Sequence, residues 1–131
     1  MINLKEYSRV PFLEKGRSKE GWDCWGLAYV LYKEALNIGL PLYLEDYVST
    51  GQKDIIGTLI TDQLAVMWEE TKTPQEFDIV NIRLRGRPMH IGVYLGKNRF
   101  IHALEKSGTV IERVDSIVWE NRIEGFFKYV G

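Results

Sequence analysis

Cysteine and histidine are scarce in this sequence, and neither sign of charge is in excess. The 131 residues include one cysteine and two histidines. A single cysteine excludes an internal disulfide, so nothing indicates an oxidising compartment. The 17 lysines and arginines are balanced by 18 aspartates and glutamates. We expect no nucleic-acid partner, because such binding requires a basic face.

Long apolar runs are also missing. No stretch reaches the roughly 20 apolar residues of a membrane-spanning helix, so we expect no membrane insertion. Residues 1–17, MINLKEYSRVPFLEKGR, are charged and lack the apolar centre of a signal peptide. We therefore expect synthesis in the cytoplasm without an export signal, and passage out of the cell only within a larger assembly.

The sequence contains no repeat, low-complexity segment or linker. Its length allows one domain with a hydrophobic core and is short for two. We therefore predict a single domain over residues 1–131.

Apolar residues in the first half have the spacing of amphipathic helices. One helix is predicted after the N-cap Asp23 and ends near Gly39, a second spans residues 54–70, and one helical turn lies near Leu4. The apolar face of the helix after Asp23 carries Cys24, Leu27, Ala28, Leu31 and Ala35.

After Pro74 the apolar spacing shortens to about two residues, which indicates strands. Strands are predicted over residues 77–84, 89–95, 99–104, 109–114 and 125–130, with a short helix within residues 115–124. Helices followed by strands predict an α+β fold in which the first helix covers an antiparallel sheet.

The two histidines, His90 and His102, lie on adjacent predicted strands. A two-residue turn at Lys97-Asn98 would place them on opposite faces of the sheet. A three-residue turn that also includes Gly96 puts Gly92 opposite His102, and His90 then lies diagonally on the same face. We expect the three-residue turn, in which Gly92 leaves room for the His102 ring.

Cys24 lies in the first turn of the helix that should pack on this sheet. The positive end of a helix dipole lowers the pKa of a thiol at that position. A neighbouring imidazole can take the proton, and a second polar group can orient that imidazole. Cys24, His90 and His102 can fill these three roles, and free N–H groups at the helix start can stabilise an oxyanion.

The same residues also allow structural explanations. A lone cysteine on an apolar helix face usually belongs to the core, and a lone strand histidine is usually a satisfied structural group. A Cys/His/His zinc site is a further alternative, although no Cys-x-x-Cys or His-x-x-x-His pair supports it. The residues alone leave catalysis and a structural role open, and we expect no metal or other cofactor.

The segments GWDCWGLAYVLYKEALNIGLP and HIGVYLGKNRFIHA resemble the NlpC-type cell-wall cysteine peptidases, and more narrowly the bacteriophage tail-tip members of that papain-like superfamily. The matching motifs are Asp-Cys-x-Gly-Leu at a helix start, His-x-Gly-x-Tyr on a strand and apolar-His-Ala on the next strand. They lie at residues 23–27, 90–94 and 101–103, and the resemblance covers residues 10–130.

This resemblance implies a papain-like NlpC fold, with N-terminal helices packed on a central antiparallel β-sheet. It implies that Cys24 is the nucleophile, His90 the general base and His102 the orienting residue of a cysteine endopeptidase. Such enzymes hydrolyse amide bonds in peptidoglycan stem peptides, typically between D-glutamate and a diamino acid. A phage-like member would have peptidoglycan and tail-tip proteins as partners, and would lie in a virion tail or prophage-derived particle.

Three further residues are implied in substrate binding. Phe12 stands where many relatives carry a tyrosine, so the missing hydroxyl alters substrate placement. Trp25 replaces a more usual serine and either narrows the cleft or packs against the fold. Asp23 caps the helix or binds a substrate amine.

Two other functions stay open at this stage. The domain could be a structural tail-assembly component with a weak or inactive site. It could also be a papain-like enzyme that cleaves or transfers acyl groups on a substrate outside the cell wall. Fold-level resemblance does not choose among these functions.

Overall fold

The computed structural model describes residues 3–43, 62, 66–84 and 87–131, and of residues 84 and 87–89 only the backbone. The helices are α1 (Leu4–Tyr7) and α2 (Cys24–Leu31), and α2 continues into a π-helical turn, Tyr32–Leu36. The strands are β1 (Arg17–Ser18), β2 (Gly21–Trp22), β3 (Trp68–Thr71), β4 (Ile79–Leu84), β5 (Arg87–Gly96), β6 (Arg99–Leu104), β7 (Gly108–Arg113) and β8 (Ile123–Tyr129).

Six of these strands form one sheet in the order β3-β8-β4-β5-β6-β7, and every neighbouring pair is antiparallel. Strands β1 and β2 form a separate short hairpin just before α2. Helix α2 packs against β5 and β6. The predicted α+β fold, with a helix on an antiparallel sheet, is therefore confirmed.

Of two further helix predictions, one is confirmed in part and one is wrong. The helix predicted over residues 54–70 is helical at the described residues 62, 66 and 67, but it ends before Trp68, which begins strand β3 and pairs with Tyr129 of β8. Most of that predicted helix, residues 54–61 and 63–65, lies outside the described residues. Residues 114–122 form consecutive turns instead of a helix, because the chain reverses at Ser116 and at Trp119, whose carbonyl groups accept backbone hydrogen bonds.

The β5–β6 hairpin has the predicted register, but its turn differs from the predicted one. Its turn has two residues, Lys97-Asn98, with positive φ angles of 53° and 62°, as in a type I′ turn. The predicted three-residue turn is therefore wrong. A bulge restores the register, because Tyr94 pairs with Phe100 whereas Gly96 pairs with Arg99.

Gly92 of β5 lies close against β6, beside His102. A Cβ atom at Gly92 would stand 2.9 Å from the carbonyl oxygen of Ile101 and 3.2 Å from the Cβ of His102. A side chain at this position would push β6 away from β5. The absence of a side chain at Gly92 is therefore a packing requirement, and the room it was expected to leave for the His102 ring stays a prediction.

The two faces of the sheet bury different groups of side chains. The face under α2 is filled by aliphatic residues that pack on the helix, including Leu27, Leu31, Ile91, Val93 and Ile101. The other face holds a smaller cluster of Val80, Ile82, Tyr94, Phe100 and Trp119. Both histidines belong to this second face, because side chains alternate along β5 and β6.

A buried chain of hydrogen bonds fixes the segment that precedes α2. The indole N–H of Trp22 donates to Thr109 Oγ1 of β7 over 2.7 Å. The Thr109 hydroxyl in turn donates to the carbonyl oxygen of Val10 over 2.8 Å. Because Trp22 comes two residues before Cys24, these bonds set where α2 begins relative to the sheet.

Replacing Thr109 with valine tests this anchor. The substitution preserves shape but leaves the fully buried Trp22 N–H without its acceptor, which should lower the free energy of unfolding by about 1–3 kcal/mol. Urea unfolding measures the change. Thr73→Val is the matched control, because Thr73 is exposed and its hydroxyl forms a hydrogen bond with that of Thr71. Equal effects of the two substitutions would contradict the anchoring role.

Candidate active site

Helix α2 begins at Cys24 because the preceding residue caps it. The Asp23 carboxylate accepts a hydrogen bond from the backbone N–H of Gly26 over 2.8 Å. The predicted N-cap is therefore confirmed. Gly26 sits so close to the carbonyl oxygen of Gly16 that a Cβ atom would collide with it. The helix start is thereby packed directly on the backbone of the preceding loop.

The same carboxylate is buried in an ion pair that sequence reasoning missed. Asp23 is only 1% exposed, and it accepts further bonds from the Lys15 backbone N–H at 3.0 Å and from Arg17 Nη1 at 2.9 Å. Arg17 also donates to the carbonyl oxygen of Leu42 through two nitrogens, at 3.0 and 2.8 Å. Asp23 and Arg17 together tie the helix start to the β1–β2 hairpin and to the chain at Leu42.

The thiol of Cys24 is buried and lies beside the backbone of Ile91, the residue that follows His90. Burial, and then the charge of Asp23, raise the pKa of Cys24 to about 12. The backbone of Ile91 and the Arg17 cation act in the opposite direction without offsetting this. The thiol pKa predicted to be lowered at the helix start is therefore raised in the folded chain, because loss of solvent dominates.

The two histidines meet as predicted. Nε2 of His90 and Nδ1 of His102 are 2.9 Å apart, and both side chains are buried. The ring of His102 also packs against Phe100 at 4.8 Å and edge-on against Trp119 at 4.9 Å, measured between ring centroids. This aromatic enclosure holds the imidazole in one orientation. Trp119 reaches it from the turns that precede β8, which sequence reasoning had taken for a short helix.

Both imidazoles are neutral at pH 7. Burial lowers the pKa of His90 to about 4. Burial and the neighbouring His90 lower the pKa of His102 to about 2. The resting site therefore holds a thiol and two uncharged imidazoles, and not a thiolate beside an imidazolium.

Cys24 approaches the histidine-bearing strands at Ile91, where the pairing of β5 with β6 has ended. The β5–β6 pairing includes Val93 with Ile101, whereas Ile91 pairs with Asn81 of β4 on its other side. The helix start contacts β5 at Ile91. Among the described residues, no hydrogen bond joins the thiol to either imidazole. Catalytic hydrogen bonds are often long in the free enzyme and tighten when substrate binds, so the absence of this bond is compatible with catalysis.

The other two predicted site residues, Phe12 and Trp25, make contacts within the fold. Trp25 is buried, its indole N–H donates to the carbonyl oxygen of Pro41 over 2.6 Å, and its ring contacts Tyr43 and Trp68. Phe12 is partly buried and pairs with Trp22 in an isolated parallel bridge. Trp25 thus packs into the fold, and the substrate-binding roles of Phe12 and Trp25 stay predictions.

Two negative findings apply to the part of the chain that the structure describes. No three side chains of His, Cys, Asp or Glu are placed there to share a metal ion. None of its helices has the length and apolar character needed to cross a membrane.

The α+β domain thus places a cysteine at a helix start and two hydrogen-bonded histidines on the sheet against which that helix packs. The sequence profile of the NlpC/P60 family matches residues 9–128. The chain belongs to the NlpC/P60 family.

Two curated relatives show how much of a longer protein such a domain represents. The chain is 26% identical over 122 residues to the murein DD-endopeptidase MepS/murein LD-carboxypeptidase of Escherichia coli K12, which covers 93% of the chain and 57% of that protein. It is 25% identical over 126 residues to the gamma-DL-glutamyl hydrolase of Bacillus subtilis, which covers 95% of the chain and 27% of that protein. The chain therefore spans less than two thirds of either relative.

Solved structures confirm the NlpC/P60 fold. A lipoprotein-like NLP/P60 family protein of Staphylococcus aureus superposes with a TM-score of 0.66 at 24% identity, covering 98% of this chain and 39% of that one. RipD of Mycobacterium tuberculosis superposes with a TM-score of 0.60 at 18% identity, covering 95% and 89%. RipD is described as a non-catalytic NlpC/p60 domain protein adapted to peptidoglycan binding. The fold therefore occurs with and without catalysis.

Replacing Asp23 with alanine tests the buried ion pair. The change removes a helix cap and leaves the largely buried Arg17 cation without its carboxylate, so we expect a loss of about 3–5 kcal/mol in the free energy of unfolding. Chemical unfolding measures it. Asp115→Ala is the matched control, because Asp115 pairs with Arg113 in an exposed ion pair. A small effect at Asp23, comparable with that of the control, would contradict the structural role.

The raised thiol pKa predicts slow alkylation of Cys24. Because thiolate is the reactive form, iodoacetamide should label this cysteine at pH 7 roughly a thousandfold more slowly than a free thiol of pKa about 8.5. Labelling should accelerate as pH rises, with no plateau below pH 9, because the group loses its proton only at high pH. Intact-mass spectrometry gives the rate, and Cys24→Ala is the blank. A rate that already plateaus below pH 7 would instead reveal a preformed thiolate.

Proposed function

We propose that this domain is a cysteine endopeptidase that hydrolyses amide bonds of peptidoglycan stem peptides. The observation that carries the proposal is the 2.9 Å contact between the rings of His90 and His102, on the strands against which the Cys24 helix is packed. Membership of the NlpC/P60 family and the murein endopeptidase relative support the choice of substrate.

In this proposal Cys24 is the nucleophile, His90 the general base and His102 the residue that orients His90. The thiol proton passes to His90 as sulfur attacks the amide carbonyl, because a free thiolate is unfavourable in the buried site. His90 then gives that proton to the leaving amine, and water hydrolyses the thioester. Backbone N–H groups at the start of α2 stabilise the oxyanion.

The bond that we propose is the amide between D-glutamate and the diamino acid of the stem peptide. The gamma-DL-glutamyl hydrolase relative supports it, since that name specifies glutamyl bonds. The murein relative is named for DD-endopeptidase and LD-carboxypeptidase activities, which concern other bonds. Defined muropeptides that offer one bond each distinguish these specificities.

We propose that three residues near Cys24 in the sequence, Phe12, Asp23 and Trp25, help to place the substrate. Phe12 would line the approach without the hydroxyl that a tyrosine supplies. Trp25 would shape the wall of the cleft from its buried position, through its ring edge. Asp23 would act mainly through the helix start, because its oxygens already accept bonds from two backbone N–H groups and from Arg17.

The biological setting that we propose is a phage or prophage tail, in which the domain helps to penetrate the cell wall. Support for this comes from the GWDCWGL segment and its resemblance to tail-tip members. Tail-tip proteins would then be the partners that deliver the domain to peptidoglycan.

A second candidate function is a non-catalytic wall-binding or tail-assembly domain. The observation that favours it is the protonated, buried thiol, which makes no hydrogen bond to His90 or His102 within the described residues. RipD shows that the fold occurs in a protein described as non-catalytic. This function would require wall or tail binding without turnover.

Digestion of purified peptidoglycan separates the two functions. The wild-type chain should release soluble peptides under reducing conditions, and Cys24→Ala should release at least about a thousandfold less, because the nucleophile is lost. Mass spectrometry of the products identifies the bond.

Sedimentation of each protein with insoluble peptidoglycan is the control. Cys24→Ala should bind as the wild type does, because the substitution removes one buried sulfur and no surface. Binding by both proteins, with no peptide released by either from several wall types, would reject the peptidase and favour the non-catalytic function.

A further inference from the structure

The second ring nitrogen of His102 is buried and faces a carboxylate. Within the described part of the chain, Nε2 of His102 has no hydrogen-bond partner, yet it lies 3.5 Å from Oε2 of Glu112. Because the pKa of His102 is lowered by burial, the ring is neutral and this contact is not an ion pair. The separation exceeds an ordinary N–H···O bond by a few tenths of an ångström. A small movement of the Glu112 side chain would complete the bond.

The register of β6 and β7 brings Glu112 to this place. His102 pairs with Val110, and Phe100 pairs with Glu112. Glu112 is therefore the diagonal neighbour of His102 on the same face of the sheet. Its side chain is 31% exposed, so the carboxylate reaches His102 from the solvent side.

We infer that Glu112 is a positioning residue that selects the tautomers of the His90–His102 pair. An ionised carboxylate accepts hydrogen bonds and cannot donate one. It therefore favours the tautomer of His102 that carries its proton on Nε2. The inference rests on the proposed role of His90 as general base.

The choice of tautomer passes from one ring to the next. With its proton on Nε2, His102 presents a lone pair at Nδ1, and Nε2 of His90 must then donate across the 2.9 Å contact. His90 is left with a lone pair on Nδ1. That atom is the one that can accept the proton of the Cys24 thiol.

The opposite tautomers would disable the base. If His102 carried its proton on Nδ1, it would donate to Nε2 of His90, whose own proton would then lie on Nδ1. His90 would have no lone pair left for the thiol. A carboxylate opposite a lone pair on His102 Nε2 is repelled, so Glu112 disfavours this arrangement.

The other groups around His102 do not make this choice. Phe100 and Trp119 enclose the ring through their aromatic faces and edges. Arg122 lies over the Trp119 ring, 5.6 Å from its centroid. From β5 the ring is faced by His90, whose own tautomer is coupled to that of His102. Glu112 supplies the acceptor that sets the direction of the pair.

Ring-nitrogen NMR of the ¹⁵N-labelled chain at pH 7 tests the inference without substrate. The chain has two histidines, so two imidazole spin systems are observed. We expect both wild-type rings to be protonated on Nε2. Glu112→Ala should add a population protonated on Nδ1 in both rings, and Glu112→Asp, which keeps the carboxylate, should largely restore the Nε2 form. Wild-type rings protonated on Nδ1, or tautomers that Glu112→Ala leaves unchanged, would overturn the inference.

Kinetics on peptidoglycan fragments provide the second measurement. Glu112→Ala should lower kcat at least about tenfold with KM unchanged, because the base and not substrate binding is affected. Glu112→Asp should recover most of kcat. Glu69→Ala is the matched control, since Glu69 is an exposed glutamate on β3 at the opposite edge of the sheet. Loss of kcat in the control as large as that in Glu112→Ala would count against the inference.

The two measurements distinguish failure of the proposed function from failure of the positioning role. A wild-type chain that releases no peptides, while Glu112→Ala still redistributes the tautomers, rejects the proposed function and leaves the positioning role supported. An active wild-type chain whose tautomers do not respond to Glu112→Ala rejects the positioning role alone.

Discussion

The hydrogen bond between His90 and His102 depends on the register of β5 against β6, and the rest of the site depends on that bond. A shift of one residue in a strand pair moves every side chain to the other face. The two-residue turn alone would impose such a shift, and the bulge between Tyr94 and Gly96 cancels it. Because Gly92 has no side chain, β6 can pack closely against β5 beside the two imidazole rings. This bulge therefore places His90 on the same face of the sheet as His102, where the two rings can form a hydrogen bond.

Burial acts on the site in two opposing ways. Close packing of Cys24, His90 and His102 fixes their positions, and the same packing keeps all three uncharged at neutral pH. The Asp23 carboxylate next to Cys24 adds to the cost of a thiolate, and the Arg17 cation offsets part of it. In the proposed function, the thiolate would be generated during the reaction, by proton transfer to an imidazole that already holds the correct tautomer. Catalysis would then depend more on the direction of the hydrogen bond between the imidazoles than on a preformed thiolate.

The sequence predicts the elements that have local causes and misses those with tertiary causes. Alternation identifies the strands of the hairpin, Asp23 identifies the helix start, and the scarcity of Cys and His identifies Cys24 and His102 as candidates. The bulge and the type I′ turn leave no such signal, because Lys97-Asn98 lacks the usual glycine. Trp68 continues a helical pattern, and only its pairing with β8 makes it a strand residue. The raised pKa of the thiol follows from burial, which a linear motif does not reveal.

Family membership leaves catalysis and simple wall binding both open, and the proposal of catalysis rests on polar groups buried on one face of the sheet. Two neutral imidazoles lie on the face that also holds Val80 and Ile82, and Phe100 and Trp119 enclose that of His102. Burial of polar rings costs free energy unless each nitrogen finds a partner, and a purely structural core would be more stable with aliphatic residues at these positions. In the proposed function, His90 as general base would need an imidazole whose lone pair is held toward Cys24, and that need would account for polar groups in an otherwise apolar layer.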